Sequence, residues 1–113
     1  QMANDFKSAT ATSLAIDSGT YTTLYTAPGS KTSIILEIDI ANKHSADITT
    51  SVLISDSSGS NDAFIVKAAP VPIGGALKVV SGQKIVMETG DVLKAAASVA
   101  SAADAVVSIL EDV

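Results

Sequence analysis

The segment Ser33-Ile34-Ile35-Leu36-Glu37-Ile38-Asp39-Ile40 decides the fold class. Ile34, Leu36, Ile38 and Ile40 occupy alternate positions, and Glu37 and Asp39 share the other parity with Ile35. A strand sends successive side chains to opposite faces, so it collects the four aliphatics on one side and both acids on the other. A helix would not separate them so cleanly. The spacing predicts a half-buried β-strand with Ile34, Leu36, Ile38 and Ile40 toward the core.

The same two-residue rhythm extends outward from this segment. Ile48 to Ile54 is β-branched and weakly alternating, and Thr12 to Ile16, Tyr21 to Thr26, Ala63 to Ala68, Leu77 to Val80 and Lys84 to Glu88 read as further short strands. Turn chemistry separates them at Asp17-Ser18-Gly19, Pro28-Gly29, Ser57 to Asn61, Gly74-Gly75, Ser81-Gly82 and Thr89-Gly90-Asp91. Pro70 and Pro72 flank Val71 and mark an edge strand or a crossover between sheets, because proline cannot donate to a central ladder. Regular punctuation of short strands predicts an all-β chain: an antiparallel β-sandwich or jelly-roll-like barrel of about 8 strands.

The C-terminal segment 92–112 is open to two readings. Leu93, Ala96, Ala97, Ala100, Ala103, Val107 and Leu110 fall at helical spacing, no Gly or Pro interrupts, and Asp91 is a suitable N-cap. A helix here would make the fold α+β. Ala105 to Glu111 also alternates acceptably as a strand.

Composition removes several functions. The chain of 113 residues has no Cys, no Trp and no Arg, and all seven cations are Lys. Hydrophobic types make up 47%, aromatics 4% and charged types 17%, and the net charge is −5. Disulfide scaffolds, Cys-based zinc sites and thiol catalysis are excluded. An acidic chain without Arg is a poor match for a nucleic-acid backbone. The absence of Cys also suits assembly in a reducing cytoplasm. Ala, Ser and Thr, at 18, 15 and 10 residues, fill over a third of the positions and predict strands with small, flat faces. No stretch is apolar for the roughly 18 residues of a membrane span, and no secretory signal is recognised at the start. Gln1, ahead of Met2, is read as a cloning remnant. One domain is expected over 10–113, preceded by an N-terminal arm at 1–9.

Candidate chemistry is sparse. His44 lies in the polar stretch Asn42 to Asp47, without a Gly-x-Ser-x-Gly elbow or a second His, and reads as a turn residue. Asp56, Asn61 and Asp62 bracket a hydroxyl-rich loop with the oxygen ligands that Ca²⁺ prefers, but their spacing departs from the helix–loop–helix calcium pattern. That loop is expected to be a solvated hairpin tip with no metal. Glu37 and Asp39 lie about 7 Å apart on one strand face, as in an inverting glycosidase pair. The four aromatics, Phe6, Tyr21, Tyr25 and Phe64, give little stacking surface for a sugar, so the acids are expected on a solvent face, or on an intersubunit face where Lys31 or Lys43 answers them. No catalytic residue, cofactor or metal is assigned. Lys43, His44, Ser58 and Asn61 are the candidate interaction residues, since binding residues ride on loops of rigid sandwiches.

Five segments in order carry a resemblance to small virion structural proteins of tailed bacteriophages, of the marine and cyanophage type. They are Leu24 to Ser33, Ile38 to Asn42, Ile65 to Gly75, Ile85 to Lys94 and Val106 to Glu111. The resemblance implies a terminal β-hairpin rather than a helix over 92–112, with Ala95-Ala96-Ala97 as a departure. It also implies a non-enzymatic capsid decoration, neck or tail component. Such a protein would be made in the host cytoplasm and located in the virion. Its partners would be copies of itself and other virion proteins, with no nucleic acid and no membrane. The alternative is a β-sandwich that binds a host-surface glycan or another receptor.

Overall fold

In a computed structural model, which describes residues 4–80 and 84–112, the chain forms nine strands and no helix among those residues. One antiparallel sheet runs in the order β1 (Asn4–Ala11), β9 (Ala103–Asp112), β3 (Thr32–Asn42) and β6 (Ala76–Val80), with β7 (Ile85–Met87) pairing beside the start of β3. The facing sheet runs β2 (Thr22–Thr26), β8 (Val92–Ala97), β4 (Ile48–Asp56) and β5 (Asn61–Val71).

Read by partner, the pairings are nested: β1 with β9, β2 with β8, β3 with β6 and β7, β4 with β5. The chain is one long hairpin with its tip at 57–60, rolled so that its arms alternate between two sheets. Taken with the two sheet orders, this is the jelly-roll arrangement. It confirms the expected antiparallel sandwich. Pro70 lies on β5, an edge strand, opposite Thr49, and the chain crosses to the other sheet after Val71. The predicted turn at Ser81-Gly82 falls outside the described residues.

The helical alternative for 92–112 does not form. Leu93, Ala95 and Ala97 alternate inward from β8, and Ala105, Val107 and Ile109 inward from β9, all buried. β8 lies between β2 and β4, and β9 between β1 and β3, so both have ladder partners on each side. A helix would remove the central strand of both sheets, and alanine's intrinsic preference is too weak to outweigh those ladders. Ser101, at φ +59°, helps turn the chain between them.

The structure departs from further local expectations. Thr12 to Ile16 is not a strand. It is an irregular crossing that buries Leu14, and the first strand is instead β1. β1 includes residues 4–9 of the segment read as an arm. Its inner side offers only the part-buried Ala9 and Ala11 to the core, which leaves little hydrophobic signal in the sequence. In β3, the register shifts between Ile35 and Glu37, so Leu36 is an extra, bulged residue. Ile35, Ile38 and Ile40 are fully buried, whereas Ile34 and Leu36 are only partly so.

The core unites these β3 residues with Leu24, Ile48, Val52, Val71, Met87, Leu93, Val107 and Ile109. Thr50 also points inward. It is 1% exposed, and among the described residues its Oγ1 has no hydrogen-bond partner. A buried hydroxyl without a partner costs about 1–3 kcal/mol, and Val has the same shape. Thr50→Val is therefore expected to leave stability unchanged or raise it by about 1 kcal/mol, read as an upward shift of the urea midpoint.

Candidate functional site

The two loops read as interaction sites occupy opposite ends of β4. Ile48 and Asp56 are the two ends of a nine-residue strand, about 27 Å apart, so the structure does not bring the loops together. At one end, Asn42 organises the loop that holds Lys43 and His44. Its Nδ2 donates to the carbonyls of Ala46 and Val71 at 2.9 and 3.0 Å, and its Oδ1 accepts from the His44 N–H at 2.7 Å. Lys43 Nζ donates to Asp104 Oδ1 at 2.8 Å and to Ser13 Oγ at 3.0 Å, tying the loop to β9 and the 12–14 crossing. With the Ser13 N–H, Lys43 holds the Asp104 carboxyl below its ordinary pKa. His44 is thus a loop residue whose backbone is fixed by Asn42.

At the other end, Asp56 Oδ1 accepts from Ser58 Oγ and from the backbone N–H groups of Ser58 and Gly59. These bonds lower the Asp56 pKa, the Ser58 hydroxyl contributing most. Asp62 Oδ1 accepts from Ser55 Oγ at 2.8 Å. Both carboxylates are therefore engaged inside the β4–β5 hairpin. Among the described residues no three His, Cys, Asp or Glu side chains come together as a metal cluster.

Glu37 and Asp39 are brought together, but by Lys78 of β6. Its Nζ lies 2.9 Å from Glu37 Oε2 and 3.0 Å from Asp39 Oδ1. Within the chain their partner is Lys78, and the acids lie on the solvent face expected from the sequence. Burial alone would raise the Asp39 carboxyl, and the bond and charge of Lys78 outweigh it and hold it low. The Lys78 ammonium is correspondingly raised, by Glu37 first and Asp39 second. The ion triple sits on the outer face of the sheet and is a solvated surface feature.

The sequence reading missed an inter-sheet polar clamp. Glu111 of β9 is 2% exposed, and its carboxylate accepts a hydrogen bond from the Tyr25 hydroxyl of β2. Lys7 Nζ of β1 lies 3.2 Å away, and Lys31 Nζ, in the turn before β3, lies 3.5 Å away. Ser33 Oγ of β3 bonds the same Tyr25 hydroxyl at 2.8 Å. Tyr25 lowers the Glu111 pKa most, with Lys7 and Lys31 adding to it against burial. Burial, then the bond to Glu111, pushes the Tyr25 phenol up to about 12. The signal was present: Ala105, Val107, Ile109 and Glu111 share one parity, so a strand reading sends a carboxylate inward and demands partners.

The outer face of the five-stranded sheet carries the most exposed apolar residues. Phe6 stands opposite Leu110, Leu110 opposite Ile34, and Ile34 opposite Val86, which makes one apolar row across β1, β9, β3 and β7. Phe6 is 74% exposed and Val86 59%. On the other sheet Phe64 is half-exposed, with Tyr21 edge-on at 6.4 Å and Lys67 Nζ 4.5 Å above its ring. These arrangements can bury apolar area and pair charges.

No protein-family model matches the chain, and no curated protein matches its sequence. Solved structures do. A chain in the acidic stable capsid structure of Helicobacter pylori bacteriophage KHP30 is similar at 11% identity and a TM-score of 0.52, covering 100% of this chain and 92% of that one. VP2 of infectious bursal disease virus, in its subviral particle, is similar at 12% identity and a TM-score of 0.53. That match covers 99% of this chain but 32% of VP2, so the present chain spans about a third of its length. At such low identity the likeness is one of fold: this chain shares its jelly-roll architecture with chains of two viral particles.

Proposed function

We propose that the protein is a non-enzymatic structural component of a virus particle, acting through association with copies of itself and with other virion proteins. The observation that carries this reading is the end-to-end likeness to a chain in a bacteriophage capsid structure, nearly equal in length to this one. The surface supports it. Small-residue strands give flat faces, the exposed apolar row offers area to bury, and symmetric repetition multiplies modest contacts into stable attachment. The sequence resemblance to phage structural proteins supports a tailed phage as the particle, with the protein as capsid decoration, neck or tail component.

Light scattering on the purified chain, together with co-sedimentation with particles of the phage that encodes it, tests the reading. A homo-oligomer that is retained on the particles is expected. A monomer that stays in the supernatant would overturn it. Glycan-array binding that disappears when 56–62 is replaced by a Gly-Ser loop would establish the host-receptor alternative instead.

A further inference from the structure

We propose that β1 is a dimerisation edge, at which two copies of this chain pair their β1 strands antiparallel about a two-fold axis at Phe6. The inference rests on the association reading above and names the surface and the partner, a second copy.

Each sheet of the sandwich has two edges, and three of the four are guarded. β5 carries Pro70, Lys67, two register shifts and Ala68 at φ +51°. β2 has five residues and a bulge between Thr23 and Tyr25. The far edge of the larger sheet is divided between β6, with five residues including Lys78, and β7, with three. Short length, proline, lysine and bulges are the devices that stop an edge from recruiting another strand. β1 differs. It is eight residues long, pairs with β9 without a register shift, contains no proline, and presents Phe6 at 74% exposure.

Side-chain chemistry selects the register. Directly opposed residues in an antiparallel pair point to the same face, so a two-fold copy of β1 must centre on a residue rather than between two. Asp5 and Lys7 lie on the inner side of the strand, and Phe6 and Ser8 on the outer side. Centring on Lys7 opposes ammonium to ammonium, and centring on Asp5 opposes carboxylate to carboxylate. Centring on Ser8 leaves both charges opposite alanines and Phe6 opposite the partner's Thr10. Centring on Phe6 instead sets Asp5 against the partner's Lys7, Lys7 against the partner's Asp5, and Phe6 against the partner's Phe6.

Among the described residues the Lys7 ammonium bonds Glu111 at 3.2 Å and otherwise approaches only its own Asp5, at 4.0 Å, and an ammonium has three donors to offer. Its side chain and that of Asp5 are 47% and 53% exposed, within reach of an added strand. The charges that would discourage a random strand therefore favour one self-pairing. Two apolar rows then join end to end, from Val86 through Phe6 to the partner's Phe6 and the partner's Val86.

The chain has no cysteine, so single-cysteine variants report the register cleanly. In a Phe6-centred pair the two copies of position 6 have Cα atoms about 4.5–5.5 Å apart, within disulfide range, whereas the two copies of position 8 are about 13 Å apart. Phe6→Cys in the full chain is expected to give a covalent dimer under mild oxidation, and Ser8→Cys is expected to remain uncrosslinked. Asp5→Lys is expected to weaken dimerisation about fivefold to tenfold in sedimentation equilibrium, as two attractive pairs become repulsive. Preferential crosslinking at position 8, or a protein that oligomerises or binds particles while position 6 does not crosslink, would overturn the β1 edge and leave the association reading standing. A monomer that also fails to bind particles would remove both.

Discussion

Ile35→Ala is expected to lower the unfolding free energy by about 2–5 kcal/mol, while Ile34→Ala, one residue earlier, should cost less than about 1.5 kcal/mol. The two residues are identical in chemistry and differ in the face they occupy. Ile35 is 0% exposed and lies opposite Ile109 of β9 and Ile85 of β7, inside the sandwich. Its truncation leaves a cavity between two sheets whose other side chains are already packed. Ile34 lies in the outer apolar row and is only partly covered, so its truncation removes surface contacts and leaves no void. The strict alternation Ile34, Leu36, Ile38, Ile40 forecasts the reverse order. Urea unfolding of the two variants, compared at constant m-value, decides between them. Equal losses, or a larger loss for Ile34→Ala, would mean that the bulge at Leu36 is misplaced.

That inversion shows where the sequence was legible. The alternation in Ser33 to Ile40 identified a strand, and Ile38 and Ile40 were assigned to the correct face. A bulge has no sequence mark of its own, however, and one extra residue exchanges the faces of everything before it. The Ala-rich end was ambiguous for a different reason. Ala95, Ala97, Ala103 and Ala105 carry local helix preference. What makes them strand is pairing with Thr22, Thr50, Val52, Asn42 and Ile40, all more than forty residues away in sequence. Small side chains at these inner positions also let the two sheets approach closely.

The polar sites divide similarly. Asp56, and Asn42 in its bonds to His44 and Ala46, act within a few residues of themselves, and their loops were recognised from composition. Lys78 is separated from Glu37 and Asp39 by about forty residues, a pairing that only the sheet order reveals. Phe6 was counted as an aromatic without a place, because β1 is too polar to announce itself as a strand.

Removing both counter-charges of Glu111, as in Lys7→Met with Lys31→Met, is expected to cost about 2–3 kcal/mol. A carboxylate stripped of its partners in a fully buried ion pair costs about 3–5 kcal/mol. The smaller figure applies here because the Lys7 and Lys31 side chains are 47% and 27% exposed, so their charges are already screened by solvent. The Tyr25 bond also remains. Adding Glu111→Gln to the double variant should recover part of the loss, since a neutral amide keeps a hydrogen-bond acceptor for Tyr25 without an isolated buried charge. The clamp further sets a pH dependence. Glu111 has a lowered pKa in the folded state, so its contribution is fully present above the ordinary carboxylate value and is lost as pH falls through the folded one. Tyr25 titrates oppositely. Its folded pKa is raised to about 12, so its contribution holds below the ordinary phenol value near 10 and is lost as pH rises toward 12. In thermal melts, Glu111→Gln alone should flatten the acid limb, and Tyr25→Phe should flatten the alkaline limb. An unchanged acid limb in Glu111→Gln would place the acid sensitivity in the part-exposed carboxylates Asp39, Asp56 and Asp104, which share the direction of shift but are screened by solvent.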